Sequence, residues 1–425
     1  MLMRLWIQVL AAAVLISAAD AQPPQRLWVL QAPGAIVEYD AATFAVRRAG
    51  KVPRRLLEAP EYLHINGKGQ MLYLPPKGVM WGGGEMAETG HLAWFWDGKQ
   101  VKEWRPEGLQ TRDRSADQPT LTETNSRCFL SAGGEHLYWF ENRFEKVEDE
   151  SGLERSVRTS ARVWRTDLAG CKPETIASLP LSEWCPCETS VCEETCPEWG
   201  FWAPDGGVGD FFLVTRLTPG QLGSTYHESL LYRRSGGKWQ VRKLTQPVEM
   251  PLAAADKGEV LIAAVSDGGC CGWDNEGNDQ LLLLQNGQVS VLYDEFARYG
   301  NSDYDVSFFP ADARLAPGAG MLAYTVISTV QAGGDIRLSS TGKENAAALA
   351  RVRKAIGELP AVEILRLGSK PKAEGVIRRA SLVGWLSGHE ILVAQEGRLA
   401  VYDTDGRKKK ETAIRVRSGA DAFLR

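Results

Sequence analysis

The sequence predicts an all-β fold, a β-propeller of about seven four-stranded blades, with one short helical insertion and one Cys-rich loop. Three observations carry this expectation. A unit recurs in which an apolar strand, a Gly-containing turn and a more polar strand follow one another. It reads LAWFWDGKQVKEW at 92–104, SLLYRRSGGKWQVRKL at 229–244, QLLLLQNGQVSVLY at 280–293 and RLAVYDTDGRKKKETAIRV at 398–416. The turns at Asp97-Gly98, Gly236-Gly237, Asn286-Gly287 and Asp405-Gly406 suit tight hairpins, which need positive φ that Gly, Asn and Asp tolerate. No long helical stretch separates the hairpins, and hairpins repeated along a whole chain point to radial β repetition.

Residues 1–21 read as a secretory signal peptide. Arg4 supplies the basic start, Leu5 to Ile16 the apolar stretch, and Ala19-Asp20-Ala21 a small-residue cleavage site before Gln22. The apolar run is short for a membrane span and is interrupted by Gln8. The expected product is a single propeller domain over 22–425, periplasmic or secreted. The signal carries one Arg and one Asp, so the mature chain keeps the full chain's net charge of −4. That balance argues against nucleic acid and against an anionic membrane surface as partner.

The expected blades follow in order. The first is short, LWVLQAP and AIVEYDAATFAVRRAG. The second holds HINGKGQMLYLP at 64–75 and the Trp-rich hairpin at 92–104. The third runs from about Leu121 to Leu181. The fourth holds WAPDGG (202–207), FFLVTR (211–216) and the hairpin at 229–244. The fifth holds EVLIAAVSDGG (259–269) and the hairpin at 280–293. The sixth holds DVSFFPADARL (305–315), MLAYTVIST (321–329) and VEILRLG (362–368). The seventh starts near Ser381. One helix is expected over 341–358, inside blade six. Thr341-Gly-Lys-Glu344 reads as its capping box, Leu349, Val352 and Ile356 as its apolar face, and Gly357 and Pro360 as its stop.

Trp202-Ala-Pro-Asp205-Gly206 and Phe308-Phe-Pro-Ala-Asp312 resemble the W-S-P-D-G turn between the first and second strands of TolB-type propeller blades, and AIVEYDAATFAVRRAG resembles exported YVTN-type repeats. The resemblance implies the scaffold alone and no partner.

In a four-stranded blade the link between strands two and three lies on the same face as the link to the next blade. The long irregular segments map there: Pro75 to Gly90, Arg143 to Ser160, Leu217 to Glu228, Gly268 to Asp279, Gln331 to Leu359 and the Cys-rich loop 183–199. Loops carried by a rigid scaffold are where binding usually resides. Trp81, Glu85, Tyr226, His227 and Trp273 fall in or beside these loops and form a candidate aromatic, acidic recognition surface.

All eight Cys residues are disulfide candidates in an exported chain: Cys128, Cys171, Cys185, Cys187, Cys192, Cys196, Cys270 and Cys271. The C-x-C and C-x3-C spacings of 185–196 fit poorly with the C-x2-C pairs of zinc or iron–sulfur sites. Adjacent Cys270 and Cys271 can bridge to 185–196 or to each other, and Cys128 can pair with Cys171. Asp274, Glu276, Asn278 and Asp279 form an oxygen-rich run whose spacing partly matches a Ca²⁺ loop, so Ca²⁺ is the candidate cation; no other cofactor is expected. No G-x-S-x-G elbow and no H-E-x-x-H motif occurs, and the five His residues are dispersed.

These readings favour an exported, non-catalytic propeller that binds a protein, peptide or glycan through its loop-rich face. The competing expectation is a metal-dependent hydrolase or lactonase with its site at the central pore.

Overall fold

The computed structural model describes residues 25–31, 34–51, 63–65, 70–73, 93–96, 101–104, 120–130, 136–148, 154–167, 173–179, 198–202, 211–218, 225–248, 250–255, 259–266, 279–299, 303–339 and 342–424. Among them the chain is mostly β, in seven four-stranded antiparallel sheets. The first sheet takes β1 (Arg26–Gln31), β2 (Ala35–Asp40) and β3 (Val46–Lys51) from the start of the chain. The second comprises β4 (Leu63–Ile65), β5 (Met71–Tyr73), β6 (Ala93–Trp96) and β7 (Val101–Trp104). The third holds β8 (Thr120–Leu130), β9 (His136–Glu148), β10 (Glu154–Asp167) and β11 (Pro173–Leu179). The fourth holds β12 (Glu198–Trp202), β13 (Phe211–Thr218), β14 (Thr225–Ser235) and β15 (Lys238–Lys243). The fifth holds β16 (Met250–Ala255), β17 (Val260–Ser266), β18 (Asp279–Gln285) and β19 (Gln288–Asp294). In the sixth are β20 (Phe308–Leu315), β21 (Met321–Ser328), β22 (Ala361–Arg366) and β23 (Lys372–Arg378). The seventh has β24 (Ala380–Trp385), β25 (Glu390–Gln395), β26 (Arg398–Asp403) and β27 (Lys408–Arg415). The last strand, β28 (Ala422–Leu424), returns to the first sheet, where Leu27, Trp28 and Val29 pair with Leu424, Phe423 and Ala422.

Apart from the return of β28, each sheet is a meander, and period-2 alternation gives the packed sheets two apolar faces. In β13, Phe212 and Val214 pack on Tyr138, Val163 and Leu179 of the third sheet, while Phe211 and Leu213 pack on Leu261 and Ala263 of the fifth. The same stacking joins sheets five and six through Ile262, Leu281 and Leu322, and sheets six and seven through Ile364, Ile391 and Val393. Sheets seven and one meet through Leu392, Leu399, Leu27 and Val29. Second strands are therefore apolar on both sides, and Phe211–Thr215 is buried throughout.

Fourth strands are exposed edges. They carry the basic runs of β3 (Arg47, Arg48), β15 (Lys238, Arg242, Lys243) and β27 (Lys408, Lys409, Lys410), and charge on an edge discourages pairing with another chain. The hairpin turns behave as the composition demands. Asn286 and Gly287 have φ of 53° and 73°, and Gly236 and Gly237 have 57° and 79°, matching type I′ turns.

Three local expectations are corrected. The helix is α2 (Ala346–Glu358), after a short α1 (Glu295–Tyr299). Its cap is Asn345, whose side chain accepts from the Ala348 N–H at 3.1 Å, so the Thr341 box is not the start. Asn is as good a cap as Thr, and the apolar face begins only after it. Gly357 lies inside the helix, which ends at Glu358 before the Leu359 cap and Pro360; Val352 and Ile356 are buried as expected. Second, Phe308 to Asp312 is not a turn but part of β20. A register shift between Ala311 and Arg314 and a φ of 49° at Asp312 make it a bulge, and Pro310 is tolerated because β20 has a single strand neighbour. Third, Arg143 to Ser160 is largely a strand ribbon. β9 and β10 continue past the reach of β8 and pair through Glu148↔Glu154, which satisfies backbone groups that a loop would leave to solvent.

Candidate functional site

Antiparallel order puts the second-to-third links and the links between sheets at one end of each sheet. The segments between strands at that end include 74–92, 105–119, 180–197, 267–278 and 329–360. At the other end the longest is 203–210, and most are two-residue to five-residue turns such as 236–237, 286–287 and 316–320. The strands put the other expected long segments at this end, with 143–160 altered as above and 217–228 corrected too: β13 and β14 pair through Thr218↔Thr225, leaving only 219–224 between them.

Few of the candidate residues can be located. Trp81, Glu85, Trp273, Asp274, Glu276 and Asn278 lie outside the described residues, as do Cys171, Cys185, Cys187, Cys192, Cys196, Cys270 and Cys271. Cys128 lies in β8, and Tyr226 and His227 lie in β14, with only their backbone described. Tyr226 pairs with Leu217 and Glu228 with Arg216, so His227 is the extra residue of a bulge at the loop-rich end. Bulges beside a rim redirect side chains there. Asp279 is placed: it opens β18, and its backbone N–H donates to Glu295 Oε2 at 3.4 Å.

Glu295 is the centre of a polar cluster at this end. The carboxylate of Asp294 caps α1 by accepting from the Ala297 N–H at 2.9 Å. That turn carries Glu295, Arg298 and Tyr299 against the sixth sheet. Glu295 is 5% exposed and also accepts from the Phe308 N–H at 2.6 Å. Its two oxygens therefore tie β18 to β20, across the boundary between sheets five and six. Burial pushes its carboxyl up from 4.5 to about 7; the Phe308 amide opposes this, and the nearby Asp279 charge adds to it.

Beside it, Arg298 donates to Glu363 Oε1 at 2.6 Å and stacks over the Tyr293 ring at 4.5 Å. Tyr324 donates to Glu363 Oε2 at 2.6 Å. The Tyr293 hydroxyl donates to the Phe308 carbonyl at 2.7 Å, and Tyr299 stacks on Phe308 with centroids 4.2 Å apart. Burial drives both the Tyr293 and Tyr324 hydroxyls well above the usual phenol range. Both oxygens of each carboxylate are engaged within the protein, so this cluster is a brace for the loop-bearing end, not a set of groups presented to a substrate.

Sequence reading missed this brace. Its one signal is Glu363, an acidic residue set in the apolar third strand AVEILR, because a charge on a packed face requires a partner. Glu38 in AIVEYD is the same case: it is 3% exposed and paired with Arg48 and with Arg26. Among the described residues no group of three or more His, Cys, Asp or Glu side chains could hold a metal, and no helix is long and apolar enough to cross a membrane.

No protein-family model matches the sequence, and no curated protein matches it either. Several solved structures of propeller-like proteins share some of its form. Apo AztD from Citrobacter koseri has 11% identity and a TM-score of 0.37, with 93% of this chain and 96% of that one covered. An ulvan lyase solved with a bound sugar has 10% identity and a TM-score of 0.39, covering 90% and 93%. The acylaminoacyl peptidase of Pyrococcus horikoshii has 11% identity and a TM-score of 0.36 over 88% of this chain. This chain spans about half the length of that peptidase, 47%, and of a dipeptidyl aminopeptidase IV-like protein from Bacteroides ovatus, 51%. At such scores no activity transfers.

Proposed function

We propose that the seven sheets are the blades of one closed propeller, with β28 and β1–β3 sharing the closing blade, and that its loop-rich end is a recognition surface. The ligand class is a protein, peptide or glycan. The chain is exported through the signal at 1–21, and its Cys-rich loop is held by disulfides. The observation carrying the reading is the unequal distribution of connections: the long segments gather at one end, including 74–92, 180–197, 267–278 and 329–360. Acid-rich segments at 180–197 and 267–278, with Trp81 and Trp273 in the connections and Trp199 at the start of β12, fit a polar, aromatic contact surface. Braces such as Glu295 and Arg298 supply the rigid base such loops need.

The test uses the mature chain on peptide and glycan arrays, beside a variant in which 267–278 is replaced by Asn-Gly. Signals that vanish in the variant, while its melting curve stays cooperative, support the reading. Signals that are unchanged, or absent from both, sink it. Calorimetry with Ca²⁺ on the same two proteins tests the cation, for which Asp279 is also a candidate: heat in the first alone assigns Asp274, Glu276 and Asn278. The hydrolase alternative would need carboxylates converging on the axis, and no observation among the described residues favours it.

A further inference from the structure

The opposite, short-turn end holds a feature that the recognition reading does not use. At three junctions the third-to-fourth hairpin turn of one sheet overhangs the outer strand of the sheet before it. Between sheets six and seven the fit is closed. A Cβ on Gly375 of β23 would meet the backbone of Thr404, Asp405 and Gly406 at 2.6–2.7 Å, so only glycine admits the turn. Between sheets four and five, the Asn286-Gly287 turn approaches Thr245 and leaves a gap of about 100 Å³. Between sheets seven and one, the equivalent gap opens to a cleft of about 390 Å³, within the range of small-ligand sites.

Two departures keep it open. The overhanging turn is longer, 41–45, and Phe44 takes a φ of 60°, a conformation costly for an aromatic residue. Strain of that kind persists where surroundings impose it, often at ligand sites. The facing strand offers Lys409 and Lys410 in place of a glycine. The walls combine an apolar part, with Phe44, Leu386 and Val401, and separated charges, with Lys410 and Glu390. Asp40, at the rim, is already committed. It accepts from Ala42 and Thr43 N–H at 3.1 and 2.9 Å and pairs with Arg47, which holds it well below the usual carboxylate range. Lys409 faces Asp403 at 3.7 Å. Among the described residues no acidic side chain pairs with Lys410, whose ammonium lies 4.9 Å above the Phe44 ring, and no basic one pairs with Glu390.

We propose that this cleft, between the seventh and first sheets, binds a short apolar peptide with free termini, its carboxylate at Lys410, its ammonium at Glu390 and its side chains against Phe44, Leu386 and Val401. Opposite free charges at the rim of a partly apolar cleft match such a zwitterion, and a ligand lacking either end forfeits one charge-assisted contact.

Calorimetry of the mature protein with Leu-Leu, its N-acetyl form and its C-terminal amide tests this. Leu-Leu binds with saturable heat, and each blocked form binds about tenfold more weakly, as expected for loss of one charge-assisted contact. Lys410→Ala removes the difference between free and amidated peptide, and Glu390→Gln removes the difference between free and acetylated peptide. Ala42→Trp, at an exposed rim position, fills the cleft and abolishes binding. Lys243→Ala, at the narrow junction between sheets four and five, leaves binding unchanged. Absence of saturable heat with Leu-Leu overturns the proposal, as does affinity that survives Ala42→Trp or ignores both charge variants. The variant lacking 267–278 retains Leu-Leu binding, so this outcome stands apart from the loop-rich surface.

Discussion

Two neighbouring junctions solve one problem with different chemistry. Where sheet six meets sheet seven, the Thr325 hydroxyl accepts from the Leu382 N–H at 3.1 Å, and Thr325 is 1% exposed. Sheets four and five use the same device, where Thr215 donates to the Val248 carbonyl at 2.9 Å and shares a 2.7 Å contact with Ser229. Where sheet five meets sheet six, the tie is the Glu295 carboxylate to Phe308, with the Arg298–Glu363–Tyr324 group beside it. A hydroxyl can bridge one amide cheaply because it carries no charge. A carboxylate can bridge two amides from different strands, at the cost of desolvation. The ionic junction borders 267–278, and the segment carrying α2 leaves from sheet six, which the ionic and the Thr325 junctions share.

The largest expected effect is at the ionic junction. Replacing Glu363 by Leu leaves Arg298 facing a packed surface and the Tyr324 hydroxyl without its acceptor. Breaking a partly buried pair on one side costs about 3 kcal/mol. Urea denaturation reads it directly. A loss smaller than that of Thr325→Val would mean the network contributes nothing beyond packing.

The next effect distinguishes the two junctions by pH. The Glu295 carboxyl is raised to about 7 in the folded chain, so the native state holds a proton that the unfolded chain has released above its ordinary 4.5. Stability from this group is therefore full below pH 4.5 and declines as pH rises from there through about 7, by about 3 kcal/mol. Glu295→Gln flattens the curve between those values. A wild-type melting temperature already flat over that window, with no change in the variant, would refute the assignment. Thr325→Val is smaller and carries no pH dependence of its own: it orphans the Leu382 amide for about 1 kcal/mol at every pH.

The contrast also explains what could be read from the chain. Hairpins such as Asn286-Gly287 announce themselves, because one dipeptide fixes both the turn and the register of its strands. Second strands such as FFLVT and MLAYT were legible as apolar runs. The junction chemistry was not, since Glu295 and Phe308 are paired by sheet stacking, and nothing local in YDEFARY or VSFFPAD indicates the partner. The FFPAD misreading has the same origin: Pro and Asp look like a turn, but a bulge on a strand with one neighbour accommodates both. Lys410 and Phe44 meet only because the chain's two ends share a sheet, and the Lys run at 408–410 reads locally as a solvated edge.

The smallest expected effect checks that the junctions, and not sheet edges, hold the difference. Val291 lies on the outer strand β19 of sheet five and is 53% exposed. It belongs to the ionic side of the comparison by position but touches none of its polar groups. Val291→Thr keeps the β-branch that suits a strand and removes little buried surface. Its cost should stay within about 0.5 kcal/mol, with the pH curve of the parent retained. A change that instead reshaped the pH curve would move the titrating group from the Glu295 tie to the outer edge of sheet five, and the contrast between neutral and ionic junctions would lose its basis.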